Sequence, residues 1–336
     1  MMKYFIKTIL ISLGFLTLSS VSHAAETTAD LETRSVVISD AIKTGDRIGR
    51  IRFLGMLALP DITRGGVRLS QLSGLAWDDD DGILYAISDK GGLFHLQPVF
   101  EGKFLVGLRL LRAMPLRELG SDKPLGPARA DSEGLNILHG RNRQKGDTEL
   151  LVSFERFPRI LRYRTDGRAI GEHPLPAPLN DAKNYRDPNK MLESVCVDTS
   201  LGVITAPETP LKSEREAYTR LFSLAGKSWL YPFTPGDRIT DMECLGKGEV
   251  LVLQQNYRHA FSRIDVLLKR VRLTAVPASQ ALNPETLLSM SSKDGFQIDN
   301  FEGLTRHQGR RFFMVSDNND LFVQRSLLMY FELLNE

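Results

Sequence analysis

Cysteine is almost missing from this chain. Cys196 and Cys244 are the two in 336 residues. A fold held by a disulfide framework is therefore excluded, and so is any C-x-x-C redox or zinc motif. The six histidines are scattered, with no pair at metal-ligand spacing, which disfavours zinc. No G-x-S-x-G nucleophile elbow occurs. Gly226-Lys227-Ser228 lacks the upstream glycine of a phosphate loop, because position 221 is Leu. Net charge is also nearly lacking, at +2. That gives no reason to expect nucleic acid or an anionic membrane as partner. With two tryptophans and 8% aromatics, the rings are read as core packing rather than a sugar-binding platform.

Long apolar runs are scarce too. The one clear run, Ile9 to Leu18, follows Lys3 and Lys7 and is short for a bilayer span. Ser22-His23-Ala24 then offers small residues for cleavage. Residues 1–24 are expected to be a signal peptide, which makes the protein periplasmic or secreted, with no membrane span after cleavage. No Cys follows the run, so a lipid anchor is not expected. Residues 25–46 read as a loosely ordered leader, and 47–336 as the folded domain.

What the chain does have is a recurring unit. Each unit opens on a small or acidic pair, runs through an apolar strand and a tight turn, and returns on a strand ending in a carboxylate or amide. The openings are Leu72-Ser73-Gly74-Leu75, Ser132-Glu133-Gly134-Leu135, Leu192-Glu193-Ser194-Val195, Met242-Glu243-Cys244-Leu245 and Phe301-Glu302-Gly303-Leu304. The return strands end on Asp89, Glu155, Glu208, Gln255 and Asp317. The period is roughly 50–60 residues, long enough for four strands and their loops. The first four units each carry four strand-like segments. The fifth carries three, and Ile48–Leu57 is an unattached strand near the N-terminus. An all-β fold follows: a β-propeller of five four-stranded blades whose last blade is completed by that N-terminal strand, leaving no open sheet edge. Six blades, with one hidden in 115–131 or 274–298, is the alternative. Cys196 and Cys244 sit at different offsets from their units' glutamates, so two buried thiols are expected rather than a bridge.

In such a blade the start of the innermost strand and the end of the next lie at the same end of the molecule. Asp89, Glu133, Glu155, Glu193, Glu208, Glu243, Glu302 and Asp317 should therefore crowd one mouth of the central channel. The Asp78–Asp81 turn should lie at the other end as a solvated hairpin. Eight carboxylates in one low-dielectric ring persist only if protonated, paired or bound to cations. An oxygen-only set suits Ca²⁺, with Mg²⁺ or Mn²⁺ less suited. The expected metal ligands are Asp89, Glu133, Glu155, Glu243, Glu302 and Asp317. Lys90, Arg156, Arg258 and Lys190 are the expected binders of a small phosphorylated or anionic substrate, with Arg129, Arg186 and Arg238 nearby. Glu193 or Glu208 is left as general base. A salt-bridged, non-catalytic binding propeller is the competing reading. A monomer is expected.

Leu72–Trp77, Leu84-Tyr85-Ala86-Ile87-Ser88-Asp89-Lys90-Gly91, Asp131–Leu135, Val152–Arg156, Asn300–Leu304 and Val315–Asn319 together resemble the phytase-like family, also described as esterase-like activity of phytase. The resemblance spans most of residues 47–336. It implies an exported, acid-rich protein that hydrolyses phosphoesters. Ser73 and Gln255 depart from the acidic pattern and make the ring asymmetric.

Overall fold

A computed structural model describes residues 28–335, except 257–262, 274–276, 278 and 322–323. The expected signal peptide and Arg258 lie outside the described residues. Helix among the described residues is limited to three single 3₁₀ turns, and no helix is long and apolar enough to cross a membrane.

Five antiparallel sheets form five blades. Blade 1 runs outward through 72–78, 83–88, 92–101 and 104–115. Blade 2 uses 132–138, 149–154, 159–164 and 169–173; blade 3 uses 192–198, 202–207, 218–223 and 228–232. Blade 4 uses 238–246, 249–256, 265–272 and 285–291. Blade 5 is built from 300–306, 311–317 and 327–333, and its outer strand is Ile51–Ala58 from the other end of the chain. Each innermost strand packs on the next, and 300–306 meets 72–78 to close the ring. The expected five-bladed propeller is what forms. Among the described residues of 115–131 and 274–298 there are loops and the outer strand of blade 4 rather than a sixth blade.

The blades hold together because both faces of each sheet are apolar. Side chains alternate sides along a strand. Phe312 and Met314 therefore enter the core between blades 4 and 5, while Phe313 and Val315 enter the core between blades 5 and 1. Five apolar clusters result, one per blade junction.

Two expectations are corrected. Residues 28–46, read as a loose leader, instead lie on the outer edges of two blades. Ala29–Asp30 pairs with the outer strand of blade 1 and Arg34–Ser35 with that of blade 5, and Ile38 is fully buried. Cys196 and Cys244, read as free thiols, form a disulfide between the innermost strands of blades 3 and 4. Counted from the bulge residues Glu193 and Thr240 described below, Cys196 follows by three residues and Cys244 by four, close enough for the two inner strands to bridge.

Candidate functional site

The innermost strand pair of every blade carries a one-residue register shift at the same height. The residue skipped is Ser73 in blade 1, Glu193 in blade 3, Thr240 in blade 4 and Glu302 in blade 5, and in blade 2 the shift falls at Glu133-Gly134. Such a bulge redirects a side chain out of the strand's regular alternation. The residue after it is glycine in three blades because the neighbouring blade's backbone is close. A Cβ on Gly134 would lie 2.7 Å from both Glu193 O and Val195 N, and one on Gly74 would lie 2.6 Å from Glu133 O.

This register corrects the fourth repeat. The blade 4 unit is Ile239-Thr240-Asp241-Met242, so Glu243 does not belong to the acidic mouth. Glu243 is buried against the cavity at the opposite end of the channel, with Arg141, Arg306 and Cys244. Burial raises its carboxyl to about 7, against the pull of Arg141 and Arg306. The two hydroxyl positions tie blades together instead of facing a ligand. Ser73 Oγ donates to Ser132 O at 2.6 Å, and Thr240 Oγ1 donates to Phe301 O at 3.1 Å. Asp241 takes the glycine position and accepts the N–H of Leu304 in the next blade at 2.6 Å.

The remaining predicted acids do converge. Glu133, Glu155, Glu193, Glu208, Glu302 and Asp317 are all at most 9% exposed. Two overlapping groups of three, Asp131–Glu133–Glu155 and Glu155–Glu193–Glu208, bring their oxygens within 4.8 Å of one another. Glu302 and Asp317 repel each other, and both feel Asp89. Burial, then mutual repulsion, raises Glu133, Glu193 and Glu302 well above the usual carboxyl range. Burial, then Glu208 and Asp131, raises Glu155 to about 9. Asp317 is raised to about 7, chiefly by burial. Asp89 rises to about 6 by burial, opposed by Lys90.

The bases are fewer and mostly engaged. Lys90 Nζ meets Asp89 at 3.1 Å and Arg156 Nε meets Asp131 at 3.0 Å. Arg238 is the most enclosed base: its Nη1 donates to Glu208 Oε1 at 2.9 Å and its Nη2 to Asn300 Oδ1 at 3.3 Å. Asn300 in turn donates to Glu302 Oε1 at 2.5 Å. Burial raises the Glu208 carboxyl against Arg238 and then Lys190, which is half-buried and lines a cavity of about 580 Å³ with Arg186 and Arg238 beside the mouth. Arg186 is spent on Pro210 O and Glu214 O.

Asp131 and Asn300 escaped the sequence reading as site residues, and Arg238 was only a neighbour there. Their signal was present. Gln71, Asp131, Met191, Arg238 and Asn300 each lie two residues before the bulge, and period two puts them on the same side of the strand. In blades 1 to 3 the backbone N–H of Asp89, Glu155 or Glu208 donates to the carbonyl of that residue. In blades 4 and 5 the same positions pair across the sheet. The Asp78–Asp81 turn lies away from this mouth. Its carboxylates accept backbone N–H groups of residues 80–81, 142–143 and 146.

Among solved structures, the chain is similar to a gluconolactonase from Xanthomonas campestris at 10% identity, TM-score 0.37, covering 88% of this chain and 99% of that one. It is similar to the Cps50 (Swd1) propeller domain of Myceliophteria thermophila at 11% identity, TM-score 0.38, covering 90% and 99%. The RRP9 WD40 repeats match at 11% identity, TM-score 0.38, covering 90% and 87%. No curated protein matches the chain. Residues 67–320, well over half the sequence and all five blade openings, match the phytase-like family described as esterase-like activity of phytase, and the chain belongs to that family.

Proposed function

We propose that this protein is an exported, cation-dependent phosphoester hydrolase whose site is the acidic channel mouth. The observation that carries this reading is the pair of overlapping three-carboxylate groups sharing Glu155, buried where too few bases offset them. The family's description supports ester hydrolysis. Export rests on the short apolar run and Ser22-His23-Ala24 near the N-terminus.

The donor set fits a hard cation. It is all carboxylate oxygen, and Asp89 Oδ1 and Glu208 Oε2 are buried with no hydrogen-bond partner among the described residues, while buried Asp131 Oδ2 meets Arg156 Nε. Asp131, Glu133 and Glu155 would hold Ca²⁺, with Asp89, Glu302 and Asp317 a second oxygen set across the mouth. Mg²⁺ or Mn²⁺ suits such an irregular cluster less well. When bound, the cation supplies Lewis acidity to a phosphoryl oxygen.

The chain's own groups supply the rest. Lys190 and Arg156 bind phosphoryl oxygens at the rim. Water adds to phosphorus, the ester P–O bond breaks, and the alcohol leaves with one proton. Glu208 is suited to take the proton from water, because Arg238 fixes Oε1 and leaves Oε2 unpartnered among the described residues. Glu193, beside it, returns a proton to the leaving oxygen.

A second reading has one observation in its favour. Lys90–Asp89, Arg156–Asp131 and Arg238–Glu208 are formed ion pairs, as a non-catalytic binding propeller would need. Turnover decides between them. The hydrolase reading expects release of p-nitrophenol from bis(p-nitrophenyl) phosphate that EDTA abolishes and Ca²⁺ restores. It also expects Glu133→Gln to lose that activity with an unchanged circular dichroism spectrum. No turnover across mono- and diesters with Ca²⁺ bound sinks it and favours the binding module.

A further inference from the structure

We propose that the mouth selects a singly charged phosphodiester bearing an aromatic group, with Phe157 as the platform for the ring and Arg129 as the partner of the charge. The hydrolase reading bears only on what becomes of the bound ester, not on its binding.

Phe157 lies two residues beyond Glu155, on the turn that leaves the mouth of blade 2. Its ring is 55% exposed. No other Phe, Tyr or Trp among the described residues is exposed. Its backbone is left-handed, with φ of +55°. That conformation is costly for a bulky residue and persists only where its surroundings enforce it. Arg159 enforces it here. Buried at 4% exposure, Arg159 stacks 3.8 Å over the Phe154 ring. Its Nη1 donates to Arg156 O at 3.1 Å and to Phe157 O at 3.0 Å, while Nη2 donates to Arg129 O. One buried guanidinium thus fixes the turn and ties it to the segment before blade 2. The ring is held outward at the rim, where an unsupported phenylalanine would fold back. Arg129 lies over it, 5.5 Å from the centroid. An aromatic group of a ligand would meet an immobile face at little entropic cost.

The charge of the site sets the other half of the selection. Lys90, Arg156 and Arg238 are each already opposite a carboxylate. Divalent cations in the two oxygen sets named above, added to those bases, leave the acids of the mouth at most balanced. Lys190 and Arg129 are the rim bases without a carboxylate partner among the described residues. Nothing in that inventory accommodates several phosphates at once. A diester anion with a ring on Phe157 and its phosphoryl group toward Arg129 and Asp131–Glu155 matches both features.

Binding is measured by isothermal titration on the full chain with Ca²⁺, using diphenyl, dimethyl and phenyl phosphate as probes. Diphenyl phosphate should bind about tenfold more tightly than dimethyl phosphate, the scale of one stacked aromatic contact with its buried area. It should also outbind the dianionic phenyl phosphate. Phe157→Ala should erase the preference, and Phe157→Trp should keep it. Equal affinities for the three probes, or a preference that survives Phe157→Ala, overturns the proposal. A retained preference without turnover of bis(p-nitrophenyl) phosphate sinks the hydrolase reading alone and leaves this one standing.

Discussion

Glu155 is the residue common to both carboxylate groups, with Asp131 and Glu208 as the neighbours that raise it. Replacing it with Gln removes a buried carboxyl that the fold must keep protonated, without changing shape. Glu155→Gln should therefore melt higher than the wild type in EDTA, by about 1–2 kcal/mol of stability near neutral pH. The gap should widen as pH rises from the ordinary carboxyl range to about 9, because across that window the fold keeps a proton that the unfolded chain has lost. In Ca²⁺ the order should reverse, since the variant loses a ligand. Differential scanning fluorimetry in the two buffers tests both directions; equal melting temperatures with and without Ca²⁺ would mean no cation binds. At this scale most of the site was legible: Glu133, Glu193 and Glu302 repeat, and their partner acids follow at the ends of the return strands. Glu243 misled because blade 4 uses Thr240 and Asp241 where blades 2 and 5 use Glu and Gly. A pattern sought by residue type slid to the next acid along the strand. Only the hydrogen-bond register shows that Thr240 occupies the bulge.

Each inner strand presents the site, and each blade junction keeps it in place. The junction of blades 5 and 1 is aromatic. His307 meets Trp77 edge-on at 4.4 Å, stacks on Phe100 at 5.6 Å, and shares a 2.7 Å hydrogen bond between Nδ1 and Tyr330 OH. Burial, with Arg311 and Arg141 adding to it, lowers the imidazole to about 4. The folded state therefore binds fewer protons than the unfolded chain between about pH 6.5 and 4. Stability from this residue is present above that window and is lost as pH falls through it. Chemical denaturation should show the wild type losing about 2 kcal/mol more than His307→Phe between pH 7 and pH 4. Parallel losses would mean the ring takes up its proton in the fold as readily as in the unfolded chain. Strand positions were readable from alternation alone, within a few residues in every blade. The Cys196–Cys244 bond was not, because pairing depends on how two inner strands are staggered across a blade junction, and bulges in both change that stagger.

Ring closure joins the ends of the domain. Ile51–Ala58 hydrogen-bonds to 327–333, and Leu54 and Leu57 enter the core shared by blades 5 and 1. Deleting residues 51–58 would leave blade 5 with a bare hydrophobic edge and open the ring. That variant should lose cooperative thermal unfolding and elute as aggregate in size-exclusion chromatography. A monomeric, cooperatively melting deletion would show that the other four blades stand without closure. The sequence by itself determined the all-β class, favoured five blades over six, and showed the orphan strand that completes the last one and most of the acids that share a mouth. These follow from period-two apolar patterning and a counted repeat, which are local and additive. Tertiary structure alone decided that Thr240 replaces Glu243, that Asp131, Arg238 and Asn300 join the site, and that Phe157 is held outward. Those outcomes depend on register shifts and on one buried arginine reaching three carbonyls, geometry that arises only when strands and blades lie against one another.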